Sequence, residues 1–192
     1  NHSATLSTTG KKENTIQFNY MMGDELINVK YRDARKNFKL YKGAEKIFYN
    51  INSIVGYDWC VIVEGEMDAL ALHEAGIKNV VSVPNGATLN SNNLDYLDNC
   101  IDYFEDKEKI ILAVDADEAG QALRYEFIRR LGAEVCYLVD FNGNKDANDF
   151  LIEHGAEELR KVITSATQVP LEGVSTLRDL EADLLDFVHN GF

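Results

Sequence analysis

Two short stretches set bare carboxylates where strand packing wants none. The apolar run "KIILAV" is followed at once by "DADEAG", so Asp115 and Asp117 stand at its end. "CVIV" is followed by "EGEMDAL", which puts Glu64 at the end of a second run and directly before a glycine. Each of these turns carries three acids: Glu64, Glu66 and Asp68 in one, Asp115, Asp117 and Glu118 in the other. Capping or dipole compensation of a following helix would ask for about one, and Asp68 and Glu118 read equally well as dipole complements. Carboxylates that share a crevice repel one another, and leaving several ionised costs stability unless a cation sits among them. Oxygen ligands without histidine or cysteine favour magnesium or manganese over zinc. Asp115 and Asp117, two residues apart, face the same side if strand geometry persists through them. Gly65 and Gly120 would let backbone and ligand approach closely.

The elements around these acids alternate from residue 58 onward. "WCVIV", "NVVSVP", "KIILAV" and "EVCYLV" read as strands. Between them lie "EMDALALHEAG", with Met67, Leu70 and Ala71 on one face, and a helix from Asn90 or Ser91 that carries Leu94, Leu97 and Ile101. A third helix, "EAGQALRYEFIRRLG", is closed by Gly132. Short apolar runs alternating with helices predict an α/β fold, a parallel sheet with helices on both faces. Ligands bind beyond the carboxyl ends of such strands, where Glu64, Asn85, Asp115 and Asp117 all fall. Residues 1–14 are polar and patternless, a fringe, and residues 15–57 read as a small antiparallel unit. After "FNGNKDAND" come two short helical patterns that complete an α/β domain over 58–165. A proline and a glycine mark a linker at 166–175. Residues 176–192 then space Leu177, Leu180, Leu184 and Val188 as one helical stripe, with Thr176 and Asp179 in capping-box positions.

The 192 residues, 45% of them hydrophobic, suffice for one domain with a smaller appendage. Nineteen basic against 32 acidic residues give a net charge of -13, which argues against a broad nonspecific grip on duplex nucleic acid. The charge is uneven, however. "KYRDARKNFKLYKGAEK", residues 30–46, holds seven basic and two acidic residues. Lys30, Arg32, Lys36 and Lys39 are therefore candidates to receive phosphates. Tyr31, Phe38 and Tyr41 interleave with them and are candidates to stack bases, with core packing the equal alternative for Phe38. Asn85 and Gly86 form a turn that contacts nucleotide or is an ordinary turn. Cys60, Cys100 and Cys136 are widely spaced and read as buried thiols, with no zinc ribbon. No run approaches the length of a membrane span and no signal-peptide core is present, so no membrane partner and a cytoplasmic setting are expected.

In order along the chain, "VEGEMDAL", "SVPNGA" and "VDADEAG" resemble the TOPRIM domain, the metal-binding unit of primases, topoisomerases and several nucleases. The match covers about residues 58–140. "KDANDFL" resembles a segment of the bifunctional primase-helicases of phage and mitochondrial type, and "INVKYRDARKNF" resembles the basic subdomain that precedes TOPRIM in them. "VPLEGV" with its following helix looks like their passage into a helicase ring. The resemblance implies an excised primase core, making short RNA primers on single-stranded DNA from ribonucleoside triphosphates with Mg2+ or Mn2+. It implies that Glu64, Asp115, Asp117 and Asp146 serve the metal site, with Glu64 a ligand or a proton acceptor. Lys30 and Lys36 become the favoured catalytic cations, and Lys145, Arg32, Lys39, Asn85 and Gly86 nucleotide- or template-binding groups. A helicase domain in the parent protein is the implied partner, and in its absence the leucine stripe of the tail is expected either to self-associate by swapping onto a neighbouring copy or to be mobile in solution. The alternatives are a metal-dependent nuclease using the same acids, or a noncatalytic module that binds single-stranded DNA.

Overall fold

A computed structural model of the protein describes residues 2–5, 12–41, 43–85 and 94–170. They build two sheets. The first is antiparallel, with strands in the order β1 (His2–Thr5), β2 (Lys12–Met22), β3 (Glu25–Asp33) and β4 (Phe38–Leu40). Its hairpin turn at Gly23 has φ 57°, which glycine adopts without strain. The Asn52 side chain clasps this turn through both the amide and the carbonyl of Gly23. Between β3 and β4, the Asp33 carboxylate accepts from the Arg35 and Asn37 amides, so "DARKN" closes as a tight turn with Lys36 in the left-handed region.

The second sheet runs β6 (Val80–Ser82), β5 (Trp59–Val63), β7 (Lys109–Leu112), β8 (Cys136–Leu138) and β9 (Thr167–Gln168). The first four are parallel and β9 is antiparallel to β8. The helices are α1 (Glu66–Glu74), α2 (Asp95–Asp98), α3 (Glu118–Leu131), α4 (Ala147–His154) and α5 (Ala156–Thr164). This is the α/β fold with a parallel sheet that the alternation predicts.

Both faces of the parallel sheet are covered, because successive residues of each strand go to opposite cores. Cys60 and Ile62 of β5 join Ile110 and Leu112 of β7 in a core with Phe18, Tyr20, Phe48, Leu97 and Phe127. Val61, Val63 and Ile111 join the other core, with Leu72, Phe150, Leu159 and Ile163. The antiparallel unit, α2 and α3 thus lie on one face, and α1, α4 and α5 on the other. Phe48 touches Tyr96, Phe104 and Phe127 with ring centroids 5.0–6.2 Å apart, which welds the antiparallel unit's connection to the main domain. Tyr49 and Ser82 exchange backbone hydrogen bonds at the outer edge of β6.

Several expectations need correcting. Residues 2–5, expected in a patternless fringe, pair with residues 12–15 as β1. Thr167 and Gln168, expected in a linker, pair with β8, whose outer edge would otherwise stay open. Leu70 is 44% exposed, because α1 buries the face of Asp68, Ala71, Leu72 and Ala75 instead. The helix expected from Asn90 or Ser91 is seen as α2 and a 3-10 turn at Ile101–Tyr103, while Gly86 and residues 87–93 lie outside the described residues. Residues 176–192, where a tail helix is expected, lie outside them as well. Cys60, Cys100 and Cys136 are buried and free. Among the described residues, no helix is long and apolar enough to cross a membrane.

Candidate metal centre and nucleic-acid interface

Beyond the carboxyl ends of β5 and β7, the chain turns sharply into α1 and α3, and a third turn leads into α4. One carboxylate from each turn meets the others. Oxygens of Asp68, Asp115 and Asp146 lie within 4.8 Å of one another. Asp68 is buried, in the first turn of α1, and accepts from the Asn148 amide at 3.1 Å. Its carboxylate occupies the space a side chain on Gly65 would take, since a Cβ there would fall 2.7 Å from Asp68 Oδ2. Asp115 is half-buried and pairs with Lys145 Nζ at 2.9 Å. Asp146 caps α4 by accepting from the Asp149 amide at 2.8 Å.

Burial, and then the neighbouring Asp146 charge, push the Asp68 carboxyl up to about 8. Burial also raises Asp115, and the hydrogen bond and charge of Lys145 pull against it. The ammonium of Lys145 is held above its usual range by that same bond. Three crowded carboxylates with one half-exposed lysine among them are short of positive charge. An all-oxygen donor set of this kind suits a hard divalent cation such as Mg2+ or Mn2+.

The other two acids of the expected metal set sit beside this trio. Glu64 Oε1 accepts from the Asp115 amide at 3.0 Å and so pins the backbone that presents Asp115. Asp117 is the N-cap of α3, accepting from the Gly120 amide at 3.0 Å, and lies 3.9 Å from Lys145. Strand geometry ends before Asp115, so the two aspartates diverge: one enters the trio and one caps a helix. Gly120 is needed for this arrangement. A Cβ there would run into the Asp115 carbonyl oxygen and come within 2.6 Å of Glu64 Oε1.

The basic strip divides in the structure. Lys30 is buried, bonded to Glu66 and to the Pro84 carbonyl. Arg32 lies over the Phe38 ring at 5.9 Å, while Lys36 is exposed at the hairpin turn and Lys39 half-buried on β4. Phe38 and Tyr41 are 44% and 55% exposed, and Tyr31 leans on Tyr41 with centroids 6.4 Å apart. These rings therefore stand at the surface among bases instead of in the core. Asn85 is exposed just after buried Pro84. Asp68, which the sequence leaves open between a dipole complement and a crevice acid and which is not in the expected metal set, is in the trio; Gly65, three residues before it, makes the room its carboxylate occupies.

A profile of Toprim-like domains matches residues 61–151. The Primase homolog protein of Arabidopsis thaliana is 38% identical over 177 residues, covering 83% of this chain and 52% of that relative. The Twinkle homolog protein, chloroplastic/mitochondrial, of the same plant is 35% identical over 184 residues, covering 87% of this chain and 26% of the relative. This chain thus spans about half of one relative and a quarter of the other. The crystal structure of the primase fragment of the bacteriophage T7 primase-helicase protein superposes with a TM-score of 0.69 at 25% identity, over 84% of this chain and 65% of that one.

Proposed function

This chain belongs to the Toprim proteins of the primase-helicase type, and from that premise we propose that it is a catalytic core that joins ribonucleotides into short primers on single-stranded DNA. The observation that carries this reading is the meeting of Asp68, Asp115 and Asp146 at the strand ends, with Lys145 bonded to one of them. Divalent ions held by these carboxylates would lower the pKa of an attacking 3'-hydroxyl and neutralise the departing pyrophosphate. Lys145 is 56% exposed at its side chain, so it can leave Asp115 for a triphosphate oxygen when a cation replaces it there. Glu64 holds the Asp115 backbone in place. Arg32, Lys36 and Lys39 offer positive charge to the template backbone, and Phe38 and Tyr41 offer stacking faces, which suits a single strand whose bases are unpaired. Asn85, exposed just after β6, is proposed to flank the incoming nucleotide; Gly86, proposed with it, lies outside the described residues.

We take a helicase domain in the parent protein as partner, and a cytoplasmic setting as a proposal beside the organellar one named for one relative. Labelled ribonucleotides, a single-stranded template and Mg2+ test the reaction. Short labelled oligomers are expected from the wild type and none from Asp115→Asn. Cleaved template instead of oligomers would favour a nuclease. Template binding with neither product would mark a noncatalytic module.

A further inference from the structure

Lys30 lies in β3 with 8% of its surface exposed. Its ammonium donates to Glu66 Oε1 at 2.7 Å and to the Pro84 carbonyl at 2.9 Å, and the Phe38 ring covers it with the centroid 4.9 Å away. The same Glu66 oxygen accepts from the hydroxyl of Tyr20. Glu66 is 3% exposed and Tyr20 fully buried. Burial first, and the Glu66 charge second, hold the Tyr20 phenol far above its usual range, so it stays a donor.

A lysine that binds phosphate directly needs donors facing solvent. Of the three donors of Lys30, two are engaged by protein oxygens and the remaining side is capped by an aromatic ring. The network also joins separate pieces of the fold. Tyr20 belongs to β2, Lys30 to β3, Glu66 opens α1 two residues before Asp68, and Pro84 stands just before Asn85. A buried ion pair adds little stability over a well-packed apolar replacement, yet losing one partner is costly. Such a pair is suited to fixing one arrangement of two surfaces against others.

Building on the proposed nucleotidyl transfer, we propose that Tyr20 and Glu66 are positioning residues that lock Lys30 into a clamp between the antiparallel sheet and the start of α1. The clamp sets Arg32, Lys36, Phe38 and Tyr41 against the carboxylate end of the parallel sheet. Lys30 acts through this clamp and not as a phosphate ligand.

The test compares Glu66→Gln, Lys30→Met, their double variant, and Tyr20→Phe. Thermal unfolding, binding of a single-stranded oligonucleotide as a function of salt, and ATP binding in Mg2+ are measured for each. Glu66→Gln and Lys30→Met should each weaken oligonucleotide binding about tenfold and lower the melting temperature, with the double variant no worse than the poorer single, as expected for residues that share one network. Tyr20→Phe should give a smaller loss of the same kind. The salt slope of Lys30→Met should match the wild type, because no phosphate contact is removed. A slope reduced by about 0.7, the value for one phosphate contact on a single strand, would overturn the clamp. So would tighter ATP binding by Glu66→Gln, which would show that freeing the ammonium makes it a ligand. If Lys30→Met does not fold, the Glu66→Gln and Tyr20→Phe results still decide by that sign. If the wild type binds neither oligonucleotide nor ATP, the primase reading fails, and the melting cycle alone judges the clamp: additive losses would sink it.

Discussion

Replacing Asp68 by asparagine keeps the size and shape of the side chain at the carboxylate trio and removes one charge. In the metal-free folded protein the Asp68 carboxyl sits at about 8, against 3.8 for an ordinary aspartate. The folded state therefore keeps a proton that the unfolded chain releases, and the stability this contributes is fully present below about pH 4. It is lost as the pH rises towards about 8. At about 1.4 kcal/mol per unit, the full loss is roughly 6 kcal/mol. Two carboxylates with oxygens no more than 4.8 Å apart repel by at least about 3.5 kcal/mol at an effective dielectric constant near 20, which is the same order. A domain of this size has about 5–15 kcal/mol in all, so the effect is large. Urea unfolding in EDTA should show the wild type losing several kcal/mol between pH 5 and pH 8, while Asp68→Asn changes little. Mg2+ at pH 8 should restore the wild type, by about 2.7 kcal/mol at one hundred times its dissociation constant, and the variant much less. Equal pH slopes, or equal gains from Mg2+, would refute the assignment of Asp68 to the centre.

Gly120→Ala forces a Cβ onto the Asp115 carbonyl and Glu64; it should cost about 1–3 kcal/mol in urea unfolding and stop incorporation, and a variant with wild-type activity would disprove the close approach. Glu64→Gln keeps an oxygen for the Asp115 amide and should unfold within about 1 kcal/mol of the wild type, whereas Glu64→Ala leaves that amide unpaired and should cost about 1–3 kcal/mol. Equal losses from the two would show that the hydrogen bond is not what Glu64 supplies to the fold. Phe127→Ala empties the centre of the core under α3 and should cost about 3–5 kcal/mol by the same measurement; a smaller effect would mean that α3 is not packed as described.

The parallel sheet was legible because its strands are apolar on both faces. "CVIV" and "KIIL" carry no in-out alternation, and the structure sends their successive residues to two different cores. Helix stops were legible where glycine takes a left-handed φ, as at Gly76 and Gly132, with φ of 82° and 97°. The short pairings were not legible. Thr167 and Gln168 are exposed and have no apolar pattern, so their strand exists only because β8 presents an open edge. Residues 2–5 pair for the same kind of reason, along β2. Leu70 misled through its type, since hydrophobicity put it on the inner face of α1 while the packing of α4 and α5 against α1 selected the Asp68 side.

The site shows the same division between local pattern and tertiary placement. An acid at a strand end announces a crevice, but three acids in one turn have three different destinations. Asp117 and Asp146 both cap helices, yet only Asp146 also reaches the trio, because the α4 cap lies across the sheet end from Asp68 and Asp115. A cap bond and a place in the trio are thus compatible in one carboxylate, and the presence of a cap bond does not exclude an acid from the cluster. The lysines divide by the same logic. In β3, Lys30 faces α1 and is buried, while Lys36 is turned out by the hairpin that Asp33 closes. Alternation along the strand also puts Arg32 on the face of Lys30, over the same Phe38 ring. Among its described residues the basic strip is therefore buried at Lys30 and open at Lys36, and in the clamp proposed above it is the open end that would offer charge to a nucleic-acid backbone.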